Sequence, residues 1–145
     1  MPYLNFHDMI IREFVNDDIN NGLLDVLKET WFITEISEET LSEWHSSNNH
    51  MIVAELDNKV IGTLTLHTQK KLIRNGGLCG FIEDVAVKSE FRGNNIGSIL
   101  VQEGIKKARK LGCYKVILSC FDERINFYVR NGFFKESNTM RYNII

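Results

Sequence analysis

The segment Arg92-Gly93-Asn94-Asn95-Ile96-Gly97-Ser98 has the makings of an anion site. Gly93 can take backbone angles closed to other residues. Gly97 would let another group come close to the first turn of the helix that the next residues predict. At a helix start the amides lack intrahelical partners and the dipole adds partial positive charge, which suits a pyrophosphate. Taken alone, the same glycines fit an ordinary turn equally well. The segment is not a Walker P-loop, because no Gly-Lys-Ser/Thr follows, and it lacks the G-x-G-x-x-G dinucleotide fingerprint.

Other residues carry chemistry of different kinds. Glu83 and Asp84 interrupt the apolar run 81–87, where a purely solvated role is less natural. Such a pair can hold an ammonium group or help to remove its proton. Lys70, Lys71 and Arg74, with Lys115, could meet an anionic small molecule, although surface lysines are commonly just surface. Tyr128 stands beside Phe127 and close to Phe133, a spacing that suits a buried aromatic. A phenol of ordinary pKa about 10 can also donate a hydrogen bond at neutral pH. Cys79, Cys113 and Cys120 form no C-x-x-C pair and read as reduced, small buried hydrophobes. His7, His45, His50 and His67 have no ligand spacing, so no metal site is expected.

These residues need elements to position them. Residues 9–14 read as a first strand. Asp17 and Asp18 supply the cap and first-turn charge of a helix running to about Thr30. Ser37, Glu38 and Glu39 open a second helix, to about His45. Segments 51–56 and 60–68 form a hairpin about Asp57-Asn58-Lys59, and 80–87 is the next strand. The clearest helix is 95–111, with Ile96, Leu100, Gly104, Ala108 and Leu111 on one face and Gly112 as its stop. Segment 115–120 reads as a strand buried in the sheet, 123–131 as a short helix, and 133–135 and 140–145 as final strands. The order predicts a mixed α/β layer fold with helices on a central sheet.

Bulk properties narrow the function. The 145 residues suit one domain, 1–145, with 1–8 expected to be flexible. Hydrophobic residues at 43% and charged residues at 25% are ordinary for a soluble globular chain. A net charge of -2 argues against a general nucleic-acid binder. No apolar run would span a bilayer, and the start lacks the features of a secretory signal. The expected location is the cytoplasm.

The turn 92–98 resembles the acetyl-CoA signature of the GNAT superfamily, Arg/Gln-x-x-Gly-x-Gly/Ala, with Asn95 in place of the usual first glycine. The blocks around it are similar to those of glucosamine-6-phosphate N-acetyltransferases. They are Gly77-Leu78-Cys79-Gly80-Phe81-Ile82-Glu83-Asp84-Val85-Ala86-Val87, Gly112-Cys113-Tyr114-Lys115-Val116-Ile117-Leu118-Ser119-Cys120 and Phe127-Tyr128-Val129-Arg130-Asn131-Gly132-Phe133. The resemblance covers roughly 9–140 and is strongest over 77–133.

It implies a GNAT fold whose central strands splay to admit acetyl-CoA. Val85, Ala86, Val87, the turn 92–98, Arg124 and Tyr128 would bind the co-substrate. Tyr128 would assist thiolate departure, with Glu83, Asp84 and the Ser119 carbonyl handling the amine proton. Lys71, Leu72, Ile73 and Arg74 resemble the family's sugar-phosphate segment, and Glu83, Asp84, Lys115 and Arg141 would join them. The implied acceptor is glucosamine 6-phosphate, on the route to UDP-N-acetylglucosamine. A homodimer with shared active sites is also implied. Arg124 stands where the family has Asn, and Ser119 where it often has Asp. A GNAT enzyme acting on another amine fits the turn and Tyr128 equally, and a non-catalytic acyl-CoA-binding module remains open because fold does not prove function.

Overall fold

A computed structural model describes residues 5–145. The sheet has the order β1-β2-β3-β4-β5, antiparallel except where β4 meets β5. Its strands are β1 (Ile10–Glu13), β2 (Asn49–Leu56), β3 (Lys59–Lys70), β4 (Leu78–Val87) and β5 (Cys113–Ile117). The β2–β3 hairpin turns at Asp57 and Asn58, with φ of 51° and 64°. Two left-handed residues make the tight turn whose twist matches the strands, and Asn and Asp tolerate that region better than most residues.

Helices cover both faces. One carries α4 (Ile96–Leu111), whose Ile96, Leu100, Val101 and Ala108 pack on Ile52, Leu64, Leu66 and Ile82. A Cβ added to Gly104 would lie 2.9 Å from Leu64, so glycine lets the helix approach the sheet. On the other face, Leu23 and Val26 of α1 (Leu23–Lys28) meet Val53, Val60 and Ala86. Helix α2 (Glu38–His45) starts where expected, with Ser37 Oγ accepting from the Thr40 amide. One turn, α3 (Ile73–Gly76), links β3 to β4, and α5 (Ile125–Arg130) follows β5. No helix among the described residues is long and apolar enough to cross a membrane.

Three expectations change. The helix expected over 17–30 is a 3-10 turn, Asn16–Asn20, followed by a break and then α1. Gly22 makes the break: its φ is 108°, and a Cβ there would come within 2.5 Å of the Val60 carbonyl oxygen. Strand β5 ends at Ile117 rather than Cys120, and it is a half-buried edge rather than a buried interior strand. The segments 133–135 and 140–145 form no strand. Their alternation specifies faces but supplies no neighbouring edge, and Phe134, Met140, Tyr142 and Ile144 stay 80–90% exposed. Of the segment expected to be flexible, residues 1–4 lie outside those described, and Phe6–Asp8 form a 3-10 turn with Phe6 packed on the core.

Asp18 is no ordinary first-turn acid. It is 2% exposed, and its two oxygens accept from the Arg12 guanidinium at 2.7 and 2.8 Å. The Val15 amide also donates to it at 2.8 Å, while Arg12 Nε reaches Glu55 at 2.8 Å. This network fastens β1 and the 3-10 turn to β2. The hydrogen bonds from Arg12 hold the Asp18 carboxyl below its ordinary pKa, against the opposing effect of burial. A depressed carboxylate pKa contributes stability that is complete above the unfolded-state value and lost as pH falls through the folded one. Breaking a buried pair from one side typically costs about 3–5 kcal/mol. Arg12 keeps Glu55 and some solvent, so Asp18→Ala should cost about 3 kcal/mol by urea denaturation at neutral pH. The gap to wild type should shrink in acid as Asp18 protonates; a gap independent of pH would show that the ion pair is not its source.

Candidate active site

Strand β4 is treated differently by its two neighbours. It pairs with β3 from Leu78 to Val87, but with β5 only from Leu78 to Phe81. β5 ends at the Phe81–Ile117 pair, and beyond it the β5-facing edge of β4 has no strand partner among the described residues. The β3–β4 register shifts within this open stretch: Thr65 faces Glu83, yet Thr63 faces Ala86. One extra residue is therefore accommodated in β4, as a bulge. Asp84 sits there with φ of 51°, a left-handed conformation that costs a non-glycine residue on the order of 1 kcal/mol or more. Desolvation pushes its carboxyl above the ordinary value. Glu83 and Asp84 are exposed, while Val85 and Val87 pack on the α4 side and Ala86 on the α1 side.

The turn 92–98 lies just past the end of β4. Gly93 has φ of 81° and nothing within 4 Å of where a Cβ would stand. Asn95 takes φ of 66°, so it adopts the left-handed conformation that a glycine would adopt there. The first α4 amide bond formed back to this cap runs from Ile99 to the Asn95 carbonyl at 3.1 Å. The amides of Ile96, Gly97 and Ser98 precede it and have no intrahelical acceptor. Open space, positive-φ turns and unpaired amides fit a pyrophosphate. Gly97 has a second role as well: its missing Cβ lies 3.4 Å from the Phe127 ring. Arg92 is held by the Val87 carbonyl (Nε to O, 3.0 Å) and lies 3.8 Å from Glu29, whose carboxylate also accepts from the Ser89 amide at 2.8 Å. Glu29 was not legible as a site residue, because α1 and this loop meet only in the fold.

Helix α5 brings Tyr128 toward the same region. Its ring lies edge-on to Phe127 at 4.9 Å and to Phe133 at 5.7 Å. Burial first, and Cys120 second, push the phenol above its ordinary pKa, with Arg124 acting in the opposite direction. It therefore stays protonated at neutral pH and can donate. Arg124 caps the start of α5 and is exposed. Asn131, passed over in sequence, ties α5 to the turn: Nδ2 donates to Ser98 Oγ at 3.1 Å and to the Phe127 carbonyl at 2.9 Å.

The cations gather elsewhere. Arg74 and Asn75 are left-handed, with φ of 56° and 53°. The Arg74 guanidinium lies 5.0 Å from the Tyr114 ring centre, and Lys115 Nζ lies 5.8 Å from the same centre. Lys71 adjoins this loop, its backbone N–H donating to the Gly77 carbonyl at 2.8 Å. Leu72 and Ile73 project from the loop, at 100% and 67% exposure. This group sits where β4 begins, whereas Glu83 is five residues further along, roughly 17 Å of strand. The loop cations thus adjoin the start of β4 and the acid pair its second half. Arg141 is exposed and bonds Asn143 at 2.7 Å. Ser119 lies beyond the end of β5, its hydroxyl 2.8 Å from that of Thr139.

Comparison with known proteins agrees with this geometry. Residues 16–133 match the acetyltransferase (GNAT) family. Among curated relatives, glucosamine 6-phosphate N-acetyltransferase from Schizosaccharomyces pombe is 40% identical over 91 residues, covering 62% of this chain and 82% of that protein. The enzyme of the same name from Candida albicans is 32% identical, covering 84% and 87%. The crystal structure of glucosamine-6-phosphate N-acetyltransferase from Arabidopsis thaliana superposes with a TM-score of 0.87 at 30% identity, covering 94% of this chain and 99% of that one. With a β4 that runs on past the end of β5 and a family match over most of its length, the chain belongs to the acetyltransferase (GNAT) family.

Proposed function

We propose that the protein transfers the acetyl group of acetyl-CoA to the amine of glucosamine 6-phosphate, giving N-acetylglucosamine 6-phosphate for UDP-N-acetylglucosamine synthesis. The observation that carries the reading is the open, bulged edge of β4 leading into the α4 amides, in a chain whose curated relatives bear that activity. Acetyl-CoA supplies an activated thioester. The turn 92–98 binds its pyrophosphate, and Val85, Ala86 and Val87 offer a free strand edge to the pantetheine arm. The Val85 amide donates to the thioester oxygen as negative charge develops, the role of an oxyanion hole. Glu83 and Asp84 hold the incoming ammonium or orient a water that takes its proton, with the Ser119 carbonyl as a further acceptor. The raised pKa of Asp84 favours this proton transfer. Tyr128 donates to the departing sulfur.

Two observations support a homodimer with shared sites. The cations of the β3–β4 loop adjoin the start of β4, whereas the acid pair lies in its second half. The tail 133–145, with Phe134, Met140, Tyr142 and Ile144 exposed, has no strand partner among the described residues. In the dimer, the tail pairs with the neighbouring subunit and Arg141 reaches the neighbour's sugar phosphate. The separation of cations and acids also supplies the rival reading, a GNAT monomer acting on an amine without a phosphate.

A thiol-release assay with amino sugars separates these readings. One or two charge-assisted contacts to phosphate are worth ~10- to 1000-fold, so glucosamine 6-phosphate should exceed glucosamine by that margin. Equal rates would reject the substrate and favour the other-amine reading. Tyr128→Phe should lower kcat by about 10²–10⁴-fold with little change in KM, and a loss within about twofold would leave Tyr128 as packing. Light scattering should give twice the chain mass of 16.8 kDa. Mixing Arg141→Ala with Tyr128→Phe should restore activity through mixed dimers that hold one intact site. A monomer would end the dimer proposal, and a dimer without rescue would remove Arg141 from the shared site.

A further inference from the structure

We propose that Asn131 is a positioning residue for the donor site, fixing the hydrogen-bonding direction of Ser98 so that the serine hydroxyl donates to the anion at the start of α4. The inference rests on the reading of the turn 92–98 as the pyrophosphate cradle.

The direction of each bond follows from chemistry. A backbone carbonyl only accepts, so the Asn131 group 2.9 Å from the Phe127 oxygen must be its NH₂. The remaining hydrogen of that NH₂ faces Ser98 Oγ at 3.1 Å. Gln102 fixes the amide from the other side: its Nε2 donates to Asn131 Oδ1 at 3.2 Å and to the Asn131 carbonyl at 3.1 Å. The Asn131 side chain therefore has no freedom to flip. Ser98 Oγ accepts from it, and the serine's own hydrogen is left to donate. Ser98 is in the first turn of α4, beside the unpaired amides of Ile96 and Gly97. An anion there meets a hydroxyl already turned into a donor, at no reorganisation cost on binding. The same residue anchors the end of α5 to α4, so the donor turn and the helix carrying Tyr128 are held in one frame.

Coenzyme A and pantetheine, which lacks the nucleotide diphosphate, are the probes. Each is titrated calorimetrically into wild type, Asn131→Ala, Ser98→Ala and the double variant, after a thermal melt shows each protein folded. A hydrogen bond to a charged group predicts ~10-fold weaker coenzyme A binding in either single variant. The double variant should be no weaker than the single ones, because both remove the same contact. Pantetheine binding should not change. In turnover, the acetyl-CoA KM should rise in both single variants. Asn131→Asp gives the same contrast if the alanine variant melts early: it keeps the side chain's size, cannot donate, and adds a negative charge, so its loss for coenzyme A should be larger still. Equal weakening of both probes, or a full extra loss from Asn131→Ala in the Ser98→Ala background, would make Asn131 a packing residue and overturn the proposal. Wild type that binds coenzyme A no tighter than pantetheine would instead reject the cradle itself, and that is evident before any variant is measured.

Discussion

Everything in the site depends on β4 keeping one neighbour and losing the other. A strand whose edge is left open inside a fold exposes a row of amides and carbonyls that need partners. Here the opening is built in: β5 accompanies β4 only as far as Phe81, and the chain then leaves toward α5. The aromatic group of Phe127, Tyr128 and Phe133 packs on the core beyond that departure. An extended ligand carrying its own amide groups is what such an edge accepts, by the same bonding that adds a strand to a sheet. The helix start that follows β4 completes the arrangement with positive partial charge, so one continuous surface suits both an amide-bearing arm and its pyrophosphate.

The bulge at Asp84 decides which side chains face this opening. In a regular strand, residues two apart share a face. Ile82 and Val85 share the α4 side, and Glu83 and Ala86 belong to the other, so the phase has slipped by one residue between them. Without that slip Val85 and Val87 would lie on the face of Glu83, and the core would lose two of its members.

Much of this was readable from the chain where the governing forces are local. Asn and Asp at a hairpin turn, Ser37 capping α2, and the apolar stripe of α4 ending at Gly112 are all short-range signals, and each element stands where the spacing put it. The misses are tertiary. Gly22 is needed because the Val60 carbonyl comes within contact, which no window of sequence contains. Asp18 looked like a cap but is a buried partner of Arg12. The slip at Asp84 was invisible because alternation counts residues and cannot see register. Glu29, Tyr114 and Asn131 act through partners far away in sequence. Of the candidate site, the turn follows the end of β4, the acid pair sits at its bulge and Tyr128 packs on the core with Val85 and Val87, while the loop cations adjoin the start of the strand.

That last separation has a physical consequence. A chain that places its cations at one end of a strand and its carboxylates near the other avoids neutralising either group. Arg74 and Lys115 rest on the face of Tyr114 rather than on an acid at close range, and the Lys115–Glu136 contact, at 4.0 Å, is long and solvent-exposed. Exposed pairs of that kind contribute little to stability, so the cations remain available to an external anion. Had they lain beside Glu83 and Asp84, the acids would have been paired and their affinity for protons lowered, the opposite of the upward shift at Asp84. A substrate bearing both an ammonium and a phosphate needs the two kinds of charge to be close, yet each must be unsatisfied beforehand. The proposed association of two chains would meet both demands by bringing a cation of one subunit to the other's carboxylates with the substrate between them.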